Sequence, residues 1–192
     1  MPARRPVRQI LAALTLAAAP AAAFDCGDDP ANLMSGVNCD FDTDVAGWTV
    51  LLGTVAHEAL DGEPELGSMS TVAAPVAAAE STCFAALPST PYGFGVRARL
   101  IAGEIGLCEL NVFESAGGAC LTPSFVGTTS FSGLAPGWQS LGGDLATDAS
   151  TGSLFVRAEC TGVGGPLTVL FDNFYLGENL EIPVEVLDFT VE

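Results

Sequence analysis

The chain has 192 residues, with six basic and 23 acidic side chains for a formal net charge of −17, 49% hydrophobic residues, 22 glycines and six cysteines. That balance excludes nucleic acid and anionic lipid as partners, since both need a basic footprint, and it favours solubility and attracts divalent cations. The abundance of Val, Leu, Ile and Phe excludes a disordered polyanion.

Residues 1–23 read as a secretory signal peptide. Arg4, Arg5 and Arg8 precede an apolar run from Ile10 to Ala19, which closes on Pro20 and Ala21-Ala22-Ala23. A charged n-region, a short apolar h-region and small residues at the cut define such a leader. The run is too short to span a bilayer, and no later run is long enough, so no membrane span is expected in the mature chain. Cleavage is expected after Ala23. It leaves Arg97, Arg99 and Arg157 as the basic residues, with no lysine. The leader fits bacterial export to the surface or the medium, with the periplasm left open.

Behind a signal peptide, six cysteines point to three disulfides. Cys26 and Cys39 are close in sequence and should tether the segment 24–36. Cys83, Cys108, Cys120 and Cys160 lie in or beside strands, and Cys83–Cys160 with Cys108–Cys120 is the leading pairing. Thiolate metal chemistry is not expected: the chain has no Cys-x-x-Cys and a single histidine, His57.

Short alternating runs separated by turn residues predict an all-β chain. Gly67 to Ala73 is a strand, followed by a loose Ala-Ala-Pro-Val-Ala linker. Ser81 to Leu87 is short and carries Cys83. Tyr92 to Ile101 places Tyr92, Phe94, Val96, Ala98 and Leu100 on one face and Arg97 and Arg99 on the other. Leu107 to Glu114 turns Cys108, Leu110 and Val112 inward and Glu109, Asn111 and Phe113 outward. Ser124 to Phe131 and Trp138 to Leu145 follow. Ser153 to Cys160 places Leu154, Val156, Ala158 and Cys160 on one face and Phe155, Arg157 and Glu159 on the other. Leu167 to Leu176 is almost continuously apolar, as a strand buried on both faces would be. About nine strands on this spacing predict a two-sheet antiparallel β-sandwich, a jelly roll. The segment 178–192 is an acidic tail with enough alternation to add an edge strand.

Three landmarks carry a resemblance. Asn38-Cys39-Asp40-Phe41-Asp42 is followed by Gly47-Trp48. A turn at Pro88 leads into Tyr92-Gly93-Phe94-Gly95-Val96-Arg97. Gly137-Trp138 precedes Phe155-Val156-Arg157 and the closing Leu170-Phe171-Asp172-Asn173-Phe174-Tyr175-Leu176. Their order and spacing resemble the galactose-binding-like jelly rolls, especially the carbohydrate-binding modules that accompany secreted cellulases and xylanases. The resemblance covers about 37–177, the expected domain. It departs from the family pattern in having Cys39 for the usual Gly and Asp42 for the usual Glu.

The resemblance implies a structural Ca²⁺ held by Asp42 and Asp172, with Glu65 and the carbonyl of Ser68 from the loop Asp61 to Ser68. Hard oxygens from strand ends and loops suit that ion. The alternative is that Asp172 caps a loop with no ion and Asp42 is simply solvated. A second candidate site is a glycan surface. Glu109, Asn111 and Phe113 beside Phe155, Arg157 and Glu159 combine aromatic carbon with planar polar groups, the ingredients of sugar recognition. The competing reading is an ordinary sheet face with an Arg157–Glu109 pair worth about 0.2–1 kcal/mol. Trp48 and Trp138 are expected to anchor core or loop, and His57 to be a solvated residue of an acidic loop.

No catalytic motif of the Gly-x-Ser-x-Gly or His-Glu-x-x-His kind is present. The expected function is therefore a secreted, non-catalytic module that binds a polysaccharide or cell-surface glycan. The alternative is a structural or adhesive surface protein with a calcium-stabilised jelly roll and no sugar site. A glycoside hydrolase ranks last and would need paired carboxylates about 5–9.5 Å apart.

Overall fold

Alternation along the chain builds two stacked antiparallel sheets. The computed structural model describes Cys26 and residues 30–178 without 64, 135 and 136. The leader 1–23 and the tail residues 179–192 lie outside the described residues. After a short 3-10 turn (Leu33–Gly36), the strands are β1 (Trp48–Leu52), β2 (Thr54–Glu58), β3 (Ser68–Ala73), β4 (Val76–Ser81), β5 (Phe84–Ala85), β6 (Pro91–Ala102), β7 (Ile105–Ser115), β8 (Ser124–Phe131), β9 (Gln139–Ala146), β10 (Ser153–Gly162) and β11 (Leu167–Glu178). One sheet has the order β1-β4-β10-β7-β8, with β5 also paired to β10. The other has the order β2-β3-β11-β6-β9. The fold is the all-β sandwich that the alternation predicts.

The inner faces are those read from the pattern. Leu110, Val112, Leu154 and Val156 of the six-stranded sheet meet Met69, Ala98, Val169 and Phe171 of the five-stranded one, all buried. Phe131 and Phe171 touch across the gap, ring centroids 6.5 Å apart. Each fully buried side chain of this size contributes about 1.5–3 kcal/mol. β11 is central in its sheet and buried on both faces, which explains its continuous apolar run. At one end Phe41, Trp48 and Phe174 form an aromatic cluster with centroids 4.5–5.8 Å apart. Trp48 also donates its indole N–H to the carbonyl of Asn38 at 3.0 Å, so it is a core residue, as expected. Asn32 ties the start of the domain to β11, since its Oδ1 accepts from the N–H of Leu176 and its Nδ2 donates to the carbonyl of Phe174, both at 3.0 Å.

Several expectations need correction. The Ala-Ala-Pro-Val-Ala segment is not a loose linker. Ala74 and Pro75 form the turn where the chain leaves one sheet, and Val76 begins β4 of the other. Ala77 and Ala79 of that strand are buried in the core between the sheets, and Ala78 between them is buried as well. β1 and β2 were not expected. They form a single excursion broken at Gly53, where the chain crosses between sheets with φ +69, and a Cβ there would lie 2.8 Å from the carbonyl of Val72 and the Cβ of Ala77. β1 is irregular, with a register shift between Val50 and Leu52, and it exposes Val50, Leu51 and Leu52. The strand expected over Ser81 to Leu87 shrinks to Phe84–Ala85.

Cys26–Cys39 forms as expected. The other two bridges are Cys83–Cys120 and Cys108–Cys160, not Cys83–Cys160 and Cys108–Cys120. The reason is register: β7 and β10 are neighbours, and Cys108 lies directly opposite Cys160 with Cα atoms 4.1 Å apart. Cys120 lies in the β7–β8 connection, which reaches Cys83 just beyond β4.

Candidate functional site

The outer face of the six-stranded sheet gathers all six residues of the candidate glycan surface. Pairing of β7 with β10 sets Phe155 opposite Phe113, Arg157 opposite Asn111, and Glu159 opposite Glu109. Adjacent strands extend these rows. Glu80 of β4 lies beside Arg157, and Phe125 and Thr128 of β8 lie beside Phe113 and Asn111. The face is thus an aromatic row, a row of planar polar groups and an acidic row, with about 6.7 Å between rows as the strand rise dictates.

The contacts within the rows differ from the sequence reading in two ways. Arg157 does not pair with Glu109. Its Nη2 and Nε donate to Oε2 of Glu80 at 2.9 and 3.3 Å, because Glu80 is its direct neighbour in register. Its guanidinium also lies over the ring of Phe113, 4.7 Å from the centroid. Phe113 stacks on Phe155 with centroids 5.0 Å apart and an interplanar angle of 11°. Phe113 is therefore engaged by Phe155 and Arg157, and Phe155 itself is buried. The ring offered to solvent is Phe125, 57% exposed and packed edge-on to Phe113 at 6.0 Å. Sequence reasoning missed Phe125 and Glu80. Glu80 lies within β4, a strand that the sequence pattern did not reveal, and β8 carries too weak an alternation to assign its faces. Asn111 is buried and donates to Glu109 at 3.5 Å. Glu109 and Glu159 face each other directly across the strands, a like-charge pairing that disfavours the bare sheet.

The opposite face, on the five-stranded sheet, is covered by the loop that follows β2. Asp61 takes both Oδ atoms to Arg99 at 2.7 and 2.8 Å and accepts from the indole of Trp138 at 3.3 Å. Glu63 pairs with Arg97. Trp138 is thus a loop anchor, as expected. The N–H of Glu63 donates to Oδ2 of Asp172 at 2.7 Å, and the N–H of Asn173 to Oδ1 at 2.7 Å.

Asp172 marks the second candidate site, where the opening segment meets the closing strand. The N–H of Phe174 donates to the carbonyl of Cys39 at 2.9 Å, and Gly67 (φ +124) packs against the backbone of Phe41 and Asp42. Phe171 pairs with Met69, so Ser68 lies beside Asp172. Burial pushes the Asp172 carboxyl up to about 7; its two backbone N–H bonds pull it down, and Asp40 and Asp42 push it further up. Ser68 Oγ and both side-chain polar atoms of Asn173 are buried without a hydrogen-bond partner. Among the described residues no three acidic, histidine or thiolate side chains gather as a metal cluster. Glu65 is exposed on the loop, as is Asp42. Asp172 is thus a buried carboxylate with unpartnered hard oxygens of Ser68 and Asn173 near it. His57 is not in a solvated loop. It lies in β2, opposite Met69, with Nε2 buried and unpartnered.

No family model and no curated protein matches the chain. Solved structures do. A family 16 carbohydrate-binding module aligns with a TM-score of 0.56 and 15% identity, covering 73% of this chain and 96% of that one. A xylan-binding domain of carbohydrate-binding family 22 gives 0.52 and 15%, covering 74% and 93%. The N-terminal part of Clostridium thermocellum endo-1,4-β-D-xylanase 10B, a family 22 module with its glycoside hydrolase module, solved with xylohexaose, gives 0.57 and 12%; the match covers 74% of this chain and 28% of that one. The jelly-roll fold expected from the three landmarks is therefore the fold this chain shares with carbohydrate-binding modules. Among the described residues no helix is long and apolar enough to cross a membrane.

Proposed function

We propose that the chain is a secreted, non-catalytic module that binds a polysaccharide or cell-surface glycan on the outer face of its six-stranded sheet. One observation carries the reading: a solvent-facing ring, a guanidinium fixed in orientation, a largely buried amide and two carboxylates lie on one sheet face. Phe125 supplies carbon for the apolar side of a pyranose. Arg157, held by Glu80 and by the ring of Phe113, supplies directed donors. Asn111, Glu109 and Glu159 supply the other hydroxyl partners. Contact with a sugar hydroxyl would also relieve the opposition of Glu109 and Glu159.

A structural Ca²⁺ belongs to the same proposal. Asp172 and Asp42 would hold it, with Glu65 and Ser68 completing the shell, and it would neutralise the carboxylates around Asp172. The leader, the three disulfides and the acidic surface support export to the surface or the medium.

The second reading, a structural or adhesive jelly roll with no sugar site, is favoured by the engagement of Phe113 and the burial of Phe155. The test is retention on insoluble polysaccharides and on a glycan array, in Ca²⁺ and in chelator. Retention that is lost in Phe125→Ala and in Arg157→Ala supports the glycan face. No retention on any polysaccharide, with a melting temperature that still falls on chelation, moves the function to structure or adhesion.

A further inference from the structure

The connection between β7 and β8 does more than join neighbours. It leaves β7 at Ser115, yet Cys120 within it is bonded to Cys83, just past the end of β4. In the order β4-β10-β7-β8 it must therefore pass across the end of β10. There it is fastened: Ser153, the first residue of β10, donates its hydroxyl to the carbonyl of Gly117, and the N–H of Gly152 donates to the carbonyl of Ser115 at 2.9 Å. Under this crossing lies a cavity of about 290 Å³. Phe155, Arg157 and Glu80 line it from the sheet, and Ala119, Cys120 and Pro123 from the connection.

Resting on the glycan reading of this face, we infer that the cavity is an end subsite: it takes one uncharged sugar unit at the terminus of a chain, not a stretch from the chain's middle. Its volume lies at the lower bound of ligand pockets, about 300–1,000 Å³, which suits a single ring. On this inference the crossing connection and the Cys83–Cys120 bridge, which border the cavity, close its far side to a longer chain. A chain running along the strands from the Glu109–Glu159 end meets the crossing connection at Phe155. A chain running across the strands over Phe125 and Phe113 reaches Phe155 and then meets the Cys83–Cys120 bridge.

The polar equipment fits one ring as well. Arg157 and Glu80 hold each other in place at 2.9 Å, so a directed donor stands beside an acceptor, as a pair of adjacent hydroxyls requires. The charge of Arg157 is matched by Glu80, and Glu109 and Glu159 leave the rest of the face negative. A carboxylated sugar is therefore repelled.

The test is calorimetric titration of the oxidised chain with xylo-, manno-, cello- and galacto-oligosaccharide ladders of one to six units, and with an oligogalacturonate ladder. The expected result is one neutral ladder whose affinity is level beyond two units, within about threefold, with the oligogalacturonates weaker by at least about tenfold. Ala119→Trp fills the cavity from an exposed position. It should weaken binding by about tenfold or more with the melting temperature unchanged. The double variant Cys83→Ser/Cys120→Ser frees the crossing and should make affinity rise with chain length. Affinity that climbs steadily from two to six units in the wild type, untouched by Ala119→Trp, overturns the end subsite and leaves the glycan reading standing. Binding of no ladder and of no intact polysaccharide overturns both.

Discussion

Replacing Asp172 with Asn should make the metal-free protein less sensitive to alkali. Burial raises this carboxyl from its ordinary 3.8 to about 7 in the folded protein, against two backbone N–H bonds that lower it, with Asp40 and Asp42 adding to the rise. The folded state therefore holds the Asp172 proton more tightly than the unfolded chain does. Its contribution to stability is full below about pH 4, declines as pH rises, and is lost above about 7. Between pH 5 and pH 8 the decline amounts to roughly 2–3 kcal/mol, or about 5–10 °C in melting temperature for a chain of this size.

Asn keeps one carbonyl oxygen for the N–H of Glu63 or of Asn173 and loses the other acceptor, a pH-independent cost of about 1–3 kcal/mol. The groups around the site (Asp40, Asp42, Glu63 and Arg97, which Glu63 engages) are the same in both proteins, so their titrations largely cancel in the difference. Urea unfolding in chelator at pH 5, 6, 7 and 8 reads this difference. The variant should be the weaker protein at pH 5, and the gap should close or invert by pH 8. A gap constant within about 0.5 kcal/mol over that range would refute the argument. Added Ca²⁺ should restore the wild type at pH 8 and leave the variant unmoved, because the cation then replaces the proton as the partner of the buried carboxylate.

Leu110→Ala removes a fully buried side chain at the centre of β7 and should cost about 2–5 kcal/mol in denaturant unfolding. Replacing Cys108 and Cys160 together by Ala should cost about 2–4 kcal/mol, with loss of protection in β7 and β10 by hydrogen exchange. Gly67→Ala places a Cβ against the carbonyl of Phe41 at φ +124. It should destabilise by about 1–3 kcal/mol, and on the calcium proposal it should also shrink the thermal shift on adding the ion.

The parts of the molecule legible in the sequence are those where one strand's own pattern decides the outcome. Tyr92 to Leu100 and Leu154 to Cys160 alternate cleanly, and each side chain lies on the face that the alternation assigns. β11 is apolar on both sides because it is central. The parts that were not legible depend on neighbours. The Ala-Ala-Pro-Val-Ala stretch that ends at Ala77 looks like linker until β1 and β10 flank the strand it opens. The cysteine pairing depends on which strands adjoin, so four cysteines spread over strands do not reveal that Cys108 faces Cys160. The same holds for the candidate glycan face. Its six residues were identifiable as outward-pointing, but Arg157 found Glu80 only through the adjacency of β4 and β10. The engagement of Phe113 and the exposure of Phe125 are packing outcomes with no trace in spacing.

The edge strand β1 presents Val50, Leu51 and Leu52 to solvent, and edges of that kind recruit further copies of a chain. Lysine is the usual guard at such positions, and this sequence contains none. Two other guards are present. One is long-range repulsion between copies that each carry a formal charge of −17. It has a reach of about 10 Å at 0.1 M salt and about 3 Å at 1 M. The other is the irregular register at Val50 and Leu52, which spoils the template for a straight incoming strand and does not depend on salt. In dilute buffer the two guards act together. In brine, of these two, only the irregularity of β1 still stands against pairing edge to edge.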